Sequence, residues 1–144
     1  MLVGLDTIAV GDLHPLENIL QTQPSSEHCH IMPLDPYHAP LPCNGVVGLH
    51  QHTAKRIWNM WKVARDVEAE MADPDYQLFG RFSEMLWLRR RAPASATWDD
   101  LAPGAVRSYK VHERSSKEKL IYFHGTPKPH EMLLLDPLVK ENWK

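Results

Sequence analysis

Residues 51–71 carry apolar side chains at spacings of three and four: Ala54, Ile57, Trp58, Trp61, Ala64, Val67 and Met71. That period places them on one stripe of a helix, with Lys55, Arg56, Lys62, Arg65 and Glu68 mostly off it. Asp73-Pro74 ends the pattern. A helix with one apolar stripe has to bury it against something else. The available partners are short runs rich in Val, Ile and Leu, at 2–10 (LVGLDTIAV), 44–49 (NGVVGL), 105–112 (AVRSYKVH) and 119–124 (KLIYFH), which read as strands. The combination dictates an α/β class with a mixed sheet.

The remaining segments fill in this frame. Asp12 is placed to cap a short helix near 13–20, and Asp136, with Pro137 at the first helical position, one near 136–143. Residues 21–42 hold five prolines and read as loop with a short extended piece. A second longer helix is expected over about 75–91, weakened at Gly80 by about 1 kcal/mol against Ala and closed by Pro93. Both tryptophans of the first helix, Trp58 and Trp61, are expected in the core. HERSSKE separates the last two strands as turn and loop.

Composition narrows the function classes. At 144 residues, 43% hydrophobic and 24% charged, the chain has the mix of one globular domain. Its formal net charge of -2 gives no bulk electrostatic case for nucleic acid or an anionic membrane. The runs Arg89–Arg91 and Lys117–Lys119 are short and read as solvated helix end and loop. Two cysteines, Cys29 and Cys43, make no disulfide framework. No apolar run approaches the roughly 18 residues of a membrane span, and the start of the chain lacks the basic region of a signal peptide. The expected location is the cytoplasm.

The chemistry concentrates in 119–131 (KLIYFHGTPKPHE). A strand delivers His124 to its end, Gly125 lets backbone approach a ligand closely, and Lys128 stands between Pro127 and Pro129 as a fixed positive charge. A diphosphate site needs a cation, an open backbone and a metal ligand in such a cluster.

Phe123, His124, Gly125, Lys128 and Pro129 resemble the C-terminal motif of GT-A-type nucleotide-sugar glycosyltransferases of the family 8 kind, His-x-x-Gly-x-x-Lys-Pro-Trp, and more closely bacterial and phage variants with Phe-His-Gly-x-x-Lys-Pro. His130 stands where Trp is expected. Gly4-Leu5-Asp6-Thr7, continuing to Gly11-Asp12-Leu13, is similar to the family's Asp-x-Asp strand and its Thr-x-x-x-Gly-Asp-Leu continuation, with Gly4 in place of the first aspartate. Pro42-Cys43-Asn44-Gly45-Val46-Val47 resembles the strand that lines the donor-sugar and acceptor site. The family's Asp-Gln pair is not intact, and Glu84 is the polar residue in the corresponding stretch. WDDLAPGAVRSYKVH resembles the approach to a late strand.

The resemblance covers residues from about 3 to the C-terminus. It implies part of a GT-A fold, the acceptor-side part, without the nucleotide-binding βα units that precede the Asp-x-Asp strand in the family. It implies metal ligands Asp6 and His124 for a divalent ion, Mn²⁺ or Mg²⁺. It implies substrate contacts at Asn44, Gly45, Gly125 and Lys128, and a catalytic role for Glu84. The reaction would be transfer of a sugar from a nucleotide-diphosphate donor to the hydroxyl of a glycan or other acceptor. Two outcomes are expected for a chain that starts at that strand: loss of activity through truncation, or survival as a non-catalytic glycan- or protein-binding module. Strand 2–10, stripped of its partners, would leave an apolar edge for a second copy or partner chain. A small zinc site on His28, Cys29, His30, His38 and Cys43 is the remaining alternative, without the usual ligand spacing.

Overall fold

Residues 119–124 set the centre of the fold. In the computed structural model, which describes residues 1–22, 30–62 and 67–143, every side chain from Leu120 to Phe123 is buried. The chain begins with strands β1 (Leu2–Val3) and β2 (Thr7–Ala9), helix α1 (His14–Thr22), and strands β3 (His30–Met32) and β4 (Val46–Leu49). Helices α2 (Gln51–Lys62) and α3 (Val67–Ala72) follow, then a 3-10 turn (Pro74–Tyr76), the hairpin β5 (Gln77–Leu78) and β6 (Arg81–Phe82), and α4 (Glu84–Arg91). The remainder is β7 (Ala96–Thr97), α5 (Trp98–Leu101), β8 (Val106–Ser108), β9 (Leu120–Tyr122), α6 (Pro129–Met132) and α7 (Pro137–Asn142).

The strands form an α/β arrangement of mixed sheets. Apart from the β5-β6 hairpin, one sheet has the order β1-β4-β3-β7 and the other β2-β9-β8. In each, one pair is parallel (β3 with β7, β8 with β9) and the other pairs are antiparallel. Side chains alternate across a strand, so β9 and the residue after it feed two cores. Leu120 and Tyr122 join Leu16, Ile31, Cys43, Val46, Trp98 and Val106 in one. Ile121 and Phe123 join Ile8 and Val139 in the other, where α7 packs. The expected inner strand at 44–49 is found as β4, between β1 and β3. Trp98 is wholly buried and donates its indole N–H to the Val46 carbonyl at 3.1 Å.

Residues 2–10 depart from the single strand expected. Gly4 N–H bonds the Gly45 carbonyl at 3.2 Å, the end of the β1 ladder with β4. Phe123 N–H bonds the Asp6 carbonyl at 2.7 Å, the start of the β2 ladder with β9. The two partners belong to different sheets, so the chain turns at Leu5-Asp6 and serves as a short edge strand in each. Gly4 and Asp6 therefore do not share a strand face.

Residues 75–91 are not one helix either. The Asp73 carboxylate accepts the Asp75 N–H at 2.8 Å and holds a 3-10 turn. Phe79 and Gly80 then take positive φ values, 52° and 73°, at the centre of a two-residue hairpin loop. Both residues of a type I′ turn need positive φ, and Gly80, a poor helix residue, supplies one. Ser83 starts α4 by accepting the Leu86 N–H at 3.4 Å. In the 51–71 segment, residues 63–66, with Ala64 and Arg65, lie outside the described residues. Trp61 packs on Trp87 and Phe82, with ring centroids 5.4 and 5.7 Å away. Trp58 is 57% exposed rather than in the core, with the Lys62 ammonium over its ring. The face that α2 turns inward is narrower than its apolar stripe.

The two short capped helices form as expected. Asp12 accepts the His14 N–H at 3.1 Å, and Asp136 accepts the Leu138 N–H at 2.9 Å. No helix among the described residues is long and apolar enough to cross a membrane.

Gly48 marks the tightest packing of the first core. A Cβ there would lie 2.6 Å from Trp98 Cζ2 and 2.7 Å from Leu20 Cδ2. Overpacking of this kind costs about 1–3 kcal/mol. Gly48→Ala is expected to lower the urea unfolding free energy by that amount. A wild-type midpoint would show that Trp98 and Leu20 move aside at no cost.

Candidate ligand-binding site

The step of the chain from one sheet to the other leaves a cleft beside it. Its cavity, about 750 Å³, is lined by Asp6, Asn44, Gly45, His124, Gly125 and Lys128, six of the seven site residues expected from sequence. The volume lies in the range of small-molecule sites.

Each of the six is held by local structure. Gly45 offers its carbonyl to Gly4 N–H and, at 3.4 Å, to the Thr7 hydroxyl. A Cβ on Gly45 would sit 2.8 Å from the Tyr122 ring, so no side chain fits. Asn44 precedes it, half-buried. β9 carries His124 to the cleft two residues past its end. Gly125 follows with φ of 64°, in the left-handed region open to glycine. Lys128 caps α6, its N–H bonded to the Glu131 carboxylate at 2.5 Å. Its ammonium makes an ion pair with the Asp6 carboxylate.

His124 has one satisfied nitrogen and one orphan. Nδ1 lies 3.3 Å from the Ser108 hydroxyl, while Nε2 is buried without a hydrogen-bond partner among the described residues. The Tyr37 ring stands edge-on to the imidazole, centroids 5.0 Å apart. Burial, and then the Lys110 ammonium, push the His124 pKa below its ordinary value, which favours the neutral ring.

Asp35, Tyr37 and Arg89 also line the cavity, and sequence reading gave them no role. Arg89 was expected at a solvated helix end. It is instead nearly buried, with Nη2 2.7 Å from Asp35 Oδ2 and Nε–H donated to the Pro42 carbonyl at 2.6 Å. Asp35 further accepts the N–H groups of Tyr37 and His38 at 2.9 and 3.2 Å. Burial works to raise the Asp35 pKa, but the Tyr37 N–H and the Arg89 guanidinium outweigh it and hold the carboxyl below its usual range. The local signal for this was Asp35-Pro36, a turn-forming pair whose carboxylate commonly accepts backbone N–H groups two residues on. Nothing local pointed to a partner 54 residues away.

Glu84 is placed elsewhere. It is exposed at the start of α4 and lines a smaller cavity of about 260 Å³ with His30, Asn44, Ile57 and Leu88. Gly4 and Asn44 border both cavities. His30 is fully buried and donates Nδ1–H to the Ala92 carbonyl at 2.8 Å. Of the other zinc candidates, His38 is exposed and Cys43 is buried in the first core with a free thiol. His28 and Cys29 lie outside the described residues.

The donor set bears on a metal as follows. Among the described residues no three His, Cys, Asp or Glu side chains group around a common point. Asp6 and His124 line one cavity, and the unpartnered Nε2 is a donor atom with nothing else to bind. The two side chains would supply one carboxylate oxygen and one imidazole nitrogen, so a divalent ion there would need the rest of its ligands from water or a bound molecule. Compared with protein-family models, with curated proteins and with solved structures, the chain matches none.

The buried Asp35–Arg89 pair gives a stability test. Removing one partner of a buried pair costs about 3–5 kcal/mol, since the other charge is left unpaired. Arg89→Ala is expected to lose that much at neutral pH by urea denaturation. The folded Asp35 pKa lies below its unfolded value of about 3.9. The carboxylate's contribution is thus complete above that value and lost as pH falls through the folded pKa. The gap between wild type and variant should narrow as the pH approaches about 3. A gap constant with pH would show that Arg89 stabilises by packing alone.

Proposed function

We propose that the cleft binds the diphosphate of a nucleotide sugar and that the chain is a glycosyltransferase-like protein, the acceptor-side part of a GT-A arrangement. The observation that carries this reading is the meeting of Asp6 and Lys128, 122 residues apart, in the cavity that also holds His124, Gly125, Asn44 and Gly45. These are the positions of three separate stretches of resemblance, converging on one cavity.

In this reading Lys128 leaves Asp6 and turns its ammonium to the diphosphate, where charge builds as the sugar departs. A fixed cation at that point is the kind of electrostatic stabilisation that dominates such steps. Gly125 keeps the backbone open to the phosphates. Asn44 and Gly45 flank the sugar, and the Tyr122 ring behind Gly45 keeps that wall rigid. Glu84, in the cavity that shares Asn44, acts on the acceptor side rather than at the diphosphate. A divalent ion, Mn²⁺ or Mg²⁺, would be held by Asp6 and His124 and would supply Lewis-acid charge. The acceptor is the hydroxyl of a glycan or a similar molecule.

A second reading, a binding module without turnover, is favoured by one observation. Gly4 contributes no carboxylate, and the Asp6 carboxylate is already neutralised by Lys128. Under it the same cleft holds a glycan or a protein segment without transfer.

Calorimetric titration with nucleoside diphosphates, with and without Mn²⁺, tests the proposal. Binding is expected to strengthen with Mn²⁺, to weaken roughly tenfold in Lys128→Ala, a loss in keeping with one charge-assisted hydrogen bond, and to lose its metal dependence in His124→Ala. The Asp6–Lys128 pair is part-exposed, so Lys128→Ala should cost less than about 1 kcal/mol of stability. A folded wild type that binds no nucleotide in either condition would overturn the proposal. Binding without consumption of any nucleotide sugar would select the second reading.

A further inference from the structure

The mouth of the cleft is built differently from its floor. The floor presents Asp6, Asn44, His124 and Lys128, and the rim presents Leu5, Leu78 and Phe79. Leu5 is 93% exposed and Phe79 96% exposed, so neither contributes burial to the core. Phe79 also stands at the first central position of the β5–β6 loop with φ of 52°. A positive φ is a genuine outlier for a bulky side chain, and the pair this turn favours is Asn-Gly rather than Phe-Gly. The residue thus strains the backbone while its ring stays almost wholly exposed, at the edge of the larger cavity. Strained positions of this kind concentrate at ligand clamps.

The chemistry of floor and rim together defines a ligand. The floor offers an ammonium and hydrogen-bonding groups suited to phosphate oxygens. The rim offers one aromatic face and two aliphatic side chains, suited to the flat or apolar face of a ring. We propose that Phe79, with Leu5 from the β1–β2 turn, stacks on the ring of a phosphate-bearing ligand and so sets the cleft's preference for ring-carrying over simple phosphates. The proposal rests on the reading that the floor takes a diphosphate, and it adds the residue that recognises what the diphosphate carries. The ring is either a nucleobase or a sugar, and the two are separable by experiment.

Phe79→Asn is the informative variant, because it creates the favoured turn sequence while removing the ring. Its melting temperature is expected to equal or exceed that of the wild type by a few degrees. Its affinity for uridine or adenosine diphosphate is expected to fall roughly tenfold, within the span of base–aromatic stacking. Its affinity for inorganic pyrophosphate should not change, and Phe79→Trp should retain ring binding. Loss for glucose 1-phosphate instead of the nucleoside diphosphates would assign the stacked ring to the sugar. If Phe79→Asn is folded and binds all of these ligands as the wild type does, the stacking role is overturned while the diphosphate reading stands. If the wild type binds neither pyrophosphate nor any ring-carrying phosphate, the diphosphate reading falls and the stacking proposal with it.

Discussion

The two sheets are joined at one seam, where a glycine carbonyl and an aspartate carbonyl each take a backbone N–H from across the step. Gly45 O holds Gly4, and Asp6 O holds Phe123. Between them the Tyr122 ring lies against the bare Cα of Gly45, and its hydroxyl reaches the Leu34 carbonyl at 3.4 Å. Burial raises the Tyr122 pKa far above the ordinary phenol value, so this hydroxyl stays a donor. Three residues of the cleft are positioned from this seam. Asp6 leaves it on one side, Asn44 precedes it on another, and His124 follows it on the third.

Two ion pairs lie in the same cleft and do different work. Asp35 and Arg89 are each about a tenth exposed, and the carboxylate has further bonds from backbone N–H groups. Displacing either would strand a charge away from water, so the pair acts as a fixed wall. Asp6 and Lys128 are a third or more exposed. An exposed pair is worth about 0–1 kcal/mol, so separating the ammonium from its carboxylate costs little. The rigid pair shapes the cavity, and the loose pair is the one available for exchange.

The sequence was legible where local pattern and tertiary partner agree. β4, β9, α1 and α7 have their period or their caps written in adjacent residues, and Asp12 and Asp136 act as read. His124 and Lys128 stood out in one local segment, 119–131, while no local signal placed Asp6 beside them. What misled was continuity. LVGLDTIAV is a single run by composition, yet its two halves have partners in different sheets, and nothing in nine residues records that. Phe79-Gly80 lies within a helical pattern, yet two positive φ values turn it into a hairpin. Arg89 reads like its neighbours Arg90 and Arg91, and only the distant Asp35 separates it from them. Trp58 shares the stripe of Trp61 but stands more than half exposed.

The position of β9 in its sheet orders the assembly of the molecule. Its neighbours are β8, close behind it in sequence, and β2, more than a hundred residues earlier. During synthesis β2 finds no strand to ladder with until β9, more than a hundred residues later, has been made. Pairings so remote carry a large loop-closure entropy and slow the search for the native state. The first sheet draws all its strands from the first hundred residues, but the core it packs on is completed only by Leu120 and Tyr122 of β9. The Asp6–Phe123 half of the seam, and with it the cleft, closes only once β9 has been made.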